Sequence, residues 1–209
     1  MKLVIFGATG KIGRHLTEQA LAQNHQVTAY ARNPEKVEKP HKNLTILKGD
    51  VLDSQSVEQA IKGQDGVLCA IGMPLMNKDK LRSKGTSNIV RAMEKTGVKR
   101  LVCLSAFGAG DSKELLPFHY KFLIVPLLMR RLFADHNPQE KLITASSLDW
   151  VIARPGNFIK GVLTGAYRHG FKAGDKAPKL KISHEDVADF MLKQLADDTY
   201  LHQAPGLSY

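Results

Sequence analysis

The sequence predicts an α/β fold with a doubly wound parallel sheet and helices on both faces, and three observations carry that expectation. Lys2 to Phe6 is a short apolar run that empties at once into Gly7-Ala8-Thr9-Gly10-Lys11-Ile12-Gly13 and then into helical periodicity. Further apolar runs alternate with amphipathic helical stretches, which implies right-handed βαβ crossovers. Gly66 to Ile71 is almost continuously apolar, as expected for a parallel strand covered on both faces.

The glycine turn is where the chemistry starts. A strand that ends in such a turn and continues as a helix leaves the first backbone N–H groups of the helix unpaired and converging, where the macrodipole also favours negative charge. Gly7 allows the tight turn, Gly10 a close approach of backbone to a pyrophosphate, and Gly13 close packing of helix on sheet. The spacing is G-x-x-G-x-x-G rather than the usual G-x-G-x-x-G of dinucleotide sites. The alternative is a strand-to-helix turn without a ligand. Ile12, Leu16 and Ala20 recur at helical spacing, Asn24 closes the helix, and Gln26 to Ala31 reads as the second strand.

The end of that second strand is where such a site selects its dinucleotide. Tyr30-Ala31-Arg32-Asn33 has no acid to accept from a ribose 2′-OH, and Arg32 offers a planar fork to a 2′-phosphate, so the expectation is NADP(H). The alternative is a solvated surface arginine. Leu44 to Leu47 gives a third strand. The turn after it carries Asp50 and Val51, where Asp50 stands either near an adenine amino group or simply as a turn residue. Asp53 or Ser54 is the N-cap of a helix with Val57, Ala60 and Ile61 inward. The fourth strand ends in Gly72-Met73-Pro74, and Gly72 there allows a cofactor to approach the backbone.

A helix with Ile89, Ala92 and Met93 on one face closes at Gly97, and Leu101 to Leu104 is the fifth strand, with Ser105 at its carboxyl end. The ligand crevice of such a sheet lies at that edge. Regular alternation then breaks over 108–137. Leu115 to Phe133 is an apolar and basic stretch in which Pro126 is expected to kink or interrupt a helix. A substrate lid, a protein-partner face at 115–133 and plain core packing all remain open there. Asn137-Pro138-Gln139-Glu140 reads as a helix start with a cap, Pro at N1 and an acid at N3. Trp150 to Ala153 is a sixth strand ending in Arg154-Pro155-Gly156-Asn157-Phe158. Ser183-His184-Glu185-Asp186 is a capping box whose His184 reads as a helix-surface residue.

Composition sets the bounds. The 209 residues suit one domain, and 30 Lys and Arg against 20 Asp and Glu give a net charge of +10. That excess points to an anionic small-molecule ligand. The basic residues are scattered and aromatics are only 7%, which disfavours nucleic acid. Cys69 and Cys103 sit in apolar strands without metal-ligand spacing, so no metal site is expected and a reducing, cytoplasmic setting is. The first strand begins at once, leaving no room for a signal peptide. The apolar run Phe122 to Met129 is far shorter than the ~20 residues of a membrane span.

Val4-Ile5-Phe6-Gly7-Ala8-Thr9-Gly10, Gly49-Asp50-Val51, Leu104-Ser105-Ala106-Phe107, Arg154-Pro155-Gly156 and Leu163-Thr164-Gly165-Ala166-Tyr167 together resemble the atypical short-chain dehydrogenase/reductases. Among these the chain is most similar to the biliverdin reductase B and NADPH-dependent flavin reductase branch, and more loosely to NmrA-like proteins. The resemblance implies a Rossmann-type NAD(P)-binding domain over 1–209. It puts Gly7, Thr9, Gly10, Lys11 and Ile12 around the pyrophosphate, Arg32 at the 2′-phosphate and Asp50 and Val51 at the adenine. Ser105 and Phe107 fall beside nicotinamide and substrate. Asn157 stands where the mammalian members of that branch have His, as the matching catalytic and substrate position, although an Asn has no proton that titrates near neutrality.

None of the five tyrosines is followed four residues on by lysine, so the Tyr-x-x-x-Lys dyad of ordinary short-chain dehydrogenases is absent. A developing alkoxide would lack its proton relay. A flavin, quinone or linear tetrapyrrole accepts hydride without one and asks mainly to be stacked and held, with Ser105 and Asn157 as the residues nearest the chemistry. The expected function is therefore an NADPH-dependent reductase of a flat conjugated acceptor, and the other reading is an NADP(H)-sensing regulatory protein without turnover.

Overall fold

A computed structural model describes residues 1–37, 40–72, 80–118, 120–172, 175 and 178–209. The strands and helices in chain order are β1 (Lys2–Phe6), α1 (Lys11–Ala22), β2 (Gln26–Ala31), β3 (Leu44–Lys48), α2 (Ser54–Ile61), β4 (Gly66–Cys69), α3 (Leu81–Thr96) and β5 (Arg100–Leu104). They continue as α4 (Arg130–Thr144), β6 (Asp149–Pro155), β7 (Asn157–Ile159), β8 (Arg168–His169), β9 (Lys181–Ser183), α5 (His184–Lys193) and β10 (Gly206–Ser208). The main sheet has the order β3-β2-β1-β4-β5-β6-β10-β8. All neighbours in it are parallel except β8, which runs against β10, so the first six strands form a Rossmann-type doubly wound sheet. A second, two-stranded sheet pairs β7 with β9.

Side chains alternate across the strands and so divide the core in two. Leu3 and Ile5 of β1, with Leu68 and Val102, pack under Ile12 and Leu16 of α1 and Phe190 and Met191 of α5. Val4 and Phe6 of the same strand, with Cys69, Cys103 and Ile152, pack against Val57 of α2, Ile89 and Met93 of α3 and Ile143 of α4. Both cysteines are fully buried thiols on neighbouring strands, in matching register. Among the described residues no helix is long and apolar enough to cross a membrane.

Local signals behave as their chemistry dictates at most ends. Asp53 is the N-cap of α2, accepting from the N–H groups of Gln55 and Ser56. Gly97 closes α3 in the left-handed conformation, at φ 78°. Ser183 caps α5 by accepting from Asp186 N–H at 3.1 Å.

The segment after β5 departs from expectation. It winds as a 3₁₀ turn (Gly110–Leu115), a π-helix (Tyr120–Met129) and then α4. The chain stays helical through Pro126, because the wide π winding is one of the ways a helix absorbs a missing backbone donor. Asn137-Pro138 is not a helix start: α4 begins at Arg130 and carries Pro138 inside it. The Asn137 side chain instead accepts from Gly110 N–H at 3.0 Å, which ties the 3₁₀ turn to α4. β4 ends at Cys69, two residues before the end of the apolar run; Gly72 is described, whereas Met73 and Pro74 lie outside the described residues.

Candidate active site

The carboxyl ends of β1, β2, β4 and β5 open into two cavities. The smaller, of ≈ 300 Å³, is lined among others by Gly7, Thr9, Tyr30, Arg32, Lys36 and Val51. The larger, of ≈ 680 Å³, is lined among others by Lys11, Ser105, Phe107, Leu116, His136 and Phe158. Gly10, Ile71 and Gly72 belong to both, so the two form one trough across the middle of the sheet edge.

The glycines of the turn divide by function. Gly7 has φ +83°, and a Cβ there would overlap the Ala70 carbonyl at the end of β4. A Cβ at Gly13 would run into the Gly7 carbonyl, so this glycine seats α1 on the turn. Gly72 is different, because a Cβ there would meet no atom of the described residues within 4 Å. Gly10 is the N-cap of α1, which has no side-chain cap and no acid in its first turn. An uncapped helix start that opens into a trough is suited to an anion.

The small cavity collects Arg32 and Lys36 beside the end of β2, and none of its described lining residues is acidic. That donor set fits a phosphorylated ribose. Tyr30 forms its floor, with its hydroxyl donating to the Asp50 carbonyl at 2.9 Å and its ring 4.9 Å from that of Phe6. Asp50 uses Oδ1 to accept from Leu52 N–H at 2.9 Å, an Asx turn, and it is its neighbour Val51 that lines the cavity.

Ser105 sits in the large cavity, 4% exposed, at the end of β5. Its hydroxyl donates to Glu140 Oε1 at 2.6 Å. Arg154 holds the same carboxylate with two charged hydrogen bonds, Nε to Oε1 at 3.0 Å and Nη2 to Oε2 at 2.7 Å, and reaches Asp111 with Nη1 at 2.6 Å. With its proton on Glu140, Ser105 presents lone pairs to the cavity. Phe107 is held edge-on by Phe171, ring centres 5.9 Å apart, and Asn157 lies at the start of β7 on the far wall.

His136 and Glu140 lie one turn apart on α4, and both reach Ser105; His136 Nδ1 is 3.4 Å from the Ser105 hydroxyl. Gln139 fixes the His136 tautomer. Its amide nitrogen donates to Thr86 Oγ1 and Cys103 Sγ at 3.1 and 3.2 Å, so its carbonyl Oε1, 3.0 Å from His136 Nδ1, accepts from that nitrogen. Burial, reinforced by the nearby Arg82 guanidinium, pulls the His136 pKa down to about 4, so the ring is neutral at pH 7. Asp135 next to it accepts from the N–H groups of Arg82 and Ser83 and thus caps α3 from another helix.

Two residues of this site stand differently from what their local sequence predicts. Glu140 is not the N3 acid of a helix start but a buried partner of Ser105 and Arg154. His184 is not a bare surface residue: it lines the large cavity and stacks on Phe158 at 4.9 Å, with burial first and Lys11 second holding its pKa down. Glu140, Arg154, Lys36 and His136 were missed as site residues. Only Lys36, four positions beyond Arg32 at the end of the 3₁₀ turn Pro34–Lys36, carried a local signal.

A family model described as NAD(P)H-binding matches residues 7–198. The photosystem II assembly factor Ycf39 of Synechocystis is 24% identical over 95% of this chain and 60% of its own length. The chain spans about three fifths of the first two curated relatives it matches. Among solved structures, a short-chain dehydrogenase/reductase of Veillonella parvula in complex with NADP superposes over 100% of this chain and 94% of its own, with TM-score 0.84 and 18% identity. ChuY, an anaerobillin reductase of Escherichia coli, covers 100% and 97% with TM-score 0.80 and 22% identity.

Proposed function

The chain belongs to the NAD(P)H-binding family, and on that premise we propose that it is an NADPH-dependent oxidoreductase that transfers hydride to a flat conjugated acceptor of the flavin, quinone or biliverdin class. The observation that carries the reading is the large cavity. Phe107, Phe158, Leu116 and Leu132 give it apolar walls wide enough for a planar ring system, and Gly10 and Gly72 join it to the phosphate turn.

A bound nicotinamide dinucleotide supplies the hydride. Gly7, Thr9, Gly10, Lys11 and Ile12 hold its pyrophosphate through backbone N–H groups at the start of α1. Arg32 and Lys36 hold the 2′-phosphate and set the preference for NADPH. Ser105, with its proton on Glu140, accepts from an N–H donor such as a carboxamide and so orients the reacting ring. Phe107 and Phe158 stack the acceptor, and Lys11 attracts its acidic groups. His136 is neutral at pH 7 and Glu140 is locked to Arg154, so neither supplies a proton; the reduced acceptor takes its proton from water. Asn157 offers the acceptor a hydrogen bond from the far wall.

The experiment is NADPH oxidation by the purified protein with FMN, a short-chain quinone and biliverdin in turn, repeated with NADH. Turnover that prefers NADPH supports the reading. Tight NADPH binding without turnover on any acceptor supports the other one, a regulatory protein whose affinity for a partner follows NADP(H). The observation on its side is the exposed apolar surface between β5 and α4.

A further inference from the structure

The segment between β5 and α4 turns Phe118, Phe122, Leu123 and Leu127 outward, 76%, 54%, 57% and 76% exposed. Their spacing fits the winding. In a helix closed by i→i+5 bonds, residues four and five apart stack above one another. Phe122 and Leu123 follow Phe118 by four and five positions, and Leu127 follows them by five and four. The π-helix (Tyr120–Met129) therefore gathers Phe122, Leu123 and Leu127 on one stripe, and the ring of Phe118, before the helix, touches that of Phe122, 4.6 Å between centres. An α-helix would spread the same three over a wider arc.

The charge within the apolar part of this segment is basic, with Glu114 just before it paired to Lys121. From Leu115 to Ala134 the sequence contains Lys121, Arg130 and Arg131 and no acid. Arg130 is exposed beyond the last turn of the π-helix, and Lys121 bonds back to Glu114 while lying over the Phe122 ring. An apolar stripe bordered by cations lies flat in a lipid interface, with its rings at the acyl boundary and its cations among acidic headgroups.

We propose that this face seats the protein on the surface of an anionic lipid bilayer. A second copy of the chain is the poorer occupant, since two such faces would bring like charges together in a protein of net charge +10. Leu116 and Leu132, on either side of the stripe, line the large cavity, so docking sets that cavity beside the lipid. Resting on the reductase reading, the acceptor this favours is one that partitions into membranes, a quinone rather than a free flavin.

The test is flotation of the full chain with phosphatidylcholine vesicles, with and without phosphatidylglycerol. The same samples are assayed for NADPH binding by fluorescence, so that failure to dock is distinguishable from failure of the cofactor site. Expected are partition about tenfold stronger onto the anionic vesicles, weakening with salt, and its loss in the Phe118→Ser/Leu127→Ser double variant. Arg130→Glu should weaken it with the apolar stripe intact. No partition, or equal partition onto both vesicles, overturns the proposal. So does self-association of the free protein that the double variant abolishes, which would assign the face to a second copy.

Discussion

Ser105 and Glu140 are 35 positions apart in the chain and meet at 2.6 Å, with the hydroxyl donating to a carboxylate that Arg154 grips from the other side. The end of β5, the middle of α4 and the end of β6 are thereby tied at one point under the large cavity. All three side chains are nearly or fully buried, so each charge depends on its partner.

Glu140→Ala leaves the Arg154 guanidinium buried with Asp111 as its one acidic partner among the described residues. The expected cost is about 3–5 kcal/mol, read from urea unfolding at pH 7. The double variant Glu140→Met/Arg154→Met should recover a large part of that loss, because no charge is then stranded.

Ser105→Ala removes the lone pair that faces the cavity while burying no new polar group. Turnover should fall about tenfold if one hydrogen bond of about 1.4 kcal/mol is lost, with the melting temperature changed by little. Unchanged turnover would reduce Ser105 to a structural residue at a strand end.

The buried His136 makes stability depend on pH. Its folded pKa of about 4 lies below the ordinary 6.5, so the unfolded chain binds the extra proton between those values. Stability from this group is full above pH 6.5 and is lost as pH falls toward 4, by about 3 kcal/mol in all. Urea midpoints measured at pH 7 and pH 4.5 should differ less in His136→Gln than in the parent.

Arg32→Ala should weaken NADPH binding about ten- to a hundredfold and leave NADH binding unchanged, if its charged bonds contribute roughly 1.5–3 kcal/mol. Fluorescence titration with the two nucleotides separates the outcomes. An equal effect on both would remove Arg32 from the 2′-phosphate.

The glycines offer an internal control. Gly13→Ala drives a methyl into the Gly7 carbonyl and should cost about 1–3 kcal/mol of stability. Gly72→Ala meets no atom of the described residues, so its melting temperature should hold while NADPH affinity falls by about fivefold or more, roughly 1 kcal/mol.

The sequence by itself determined the first six strands of the sheet, but not β7 to β10, because continuous apolar runs, glycine at a strand-to-helix turn and side-chain caps are local chemistry. β1 and β2 fall on the expected residues, and Asp53, Gly97 and Ser183 cap the helices as their side chains or backbone freedom require. That the glycine turn and Arg32 would meet at one sheet edge was legible for the same reason, since a strand, its turn and the next helix are contiguous. What only the tertiary structure decided lies after β5. There Asn137-Pro138-Gln139-Glu140 has every local mark of a helix start, yet the helix begins upstream. Glu140 is drawn instead to Arg154 and Ser105, and Asn137 to Gly110. Long-range pairing of buried charge outweighs a cap of about 1 kcal/mol, and no pattern of neighbouring residues encodes which distant partner will be there.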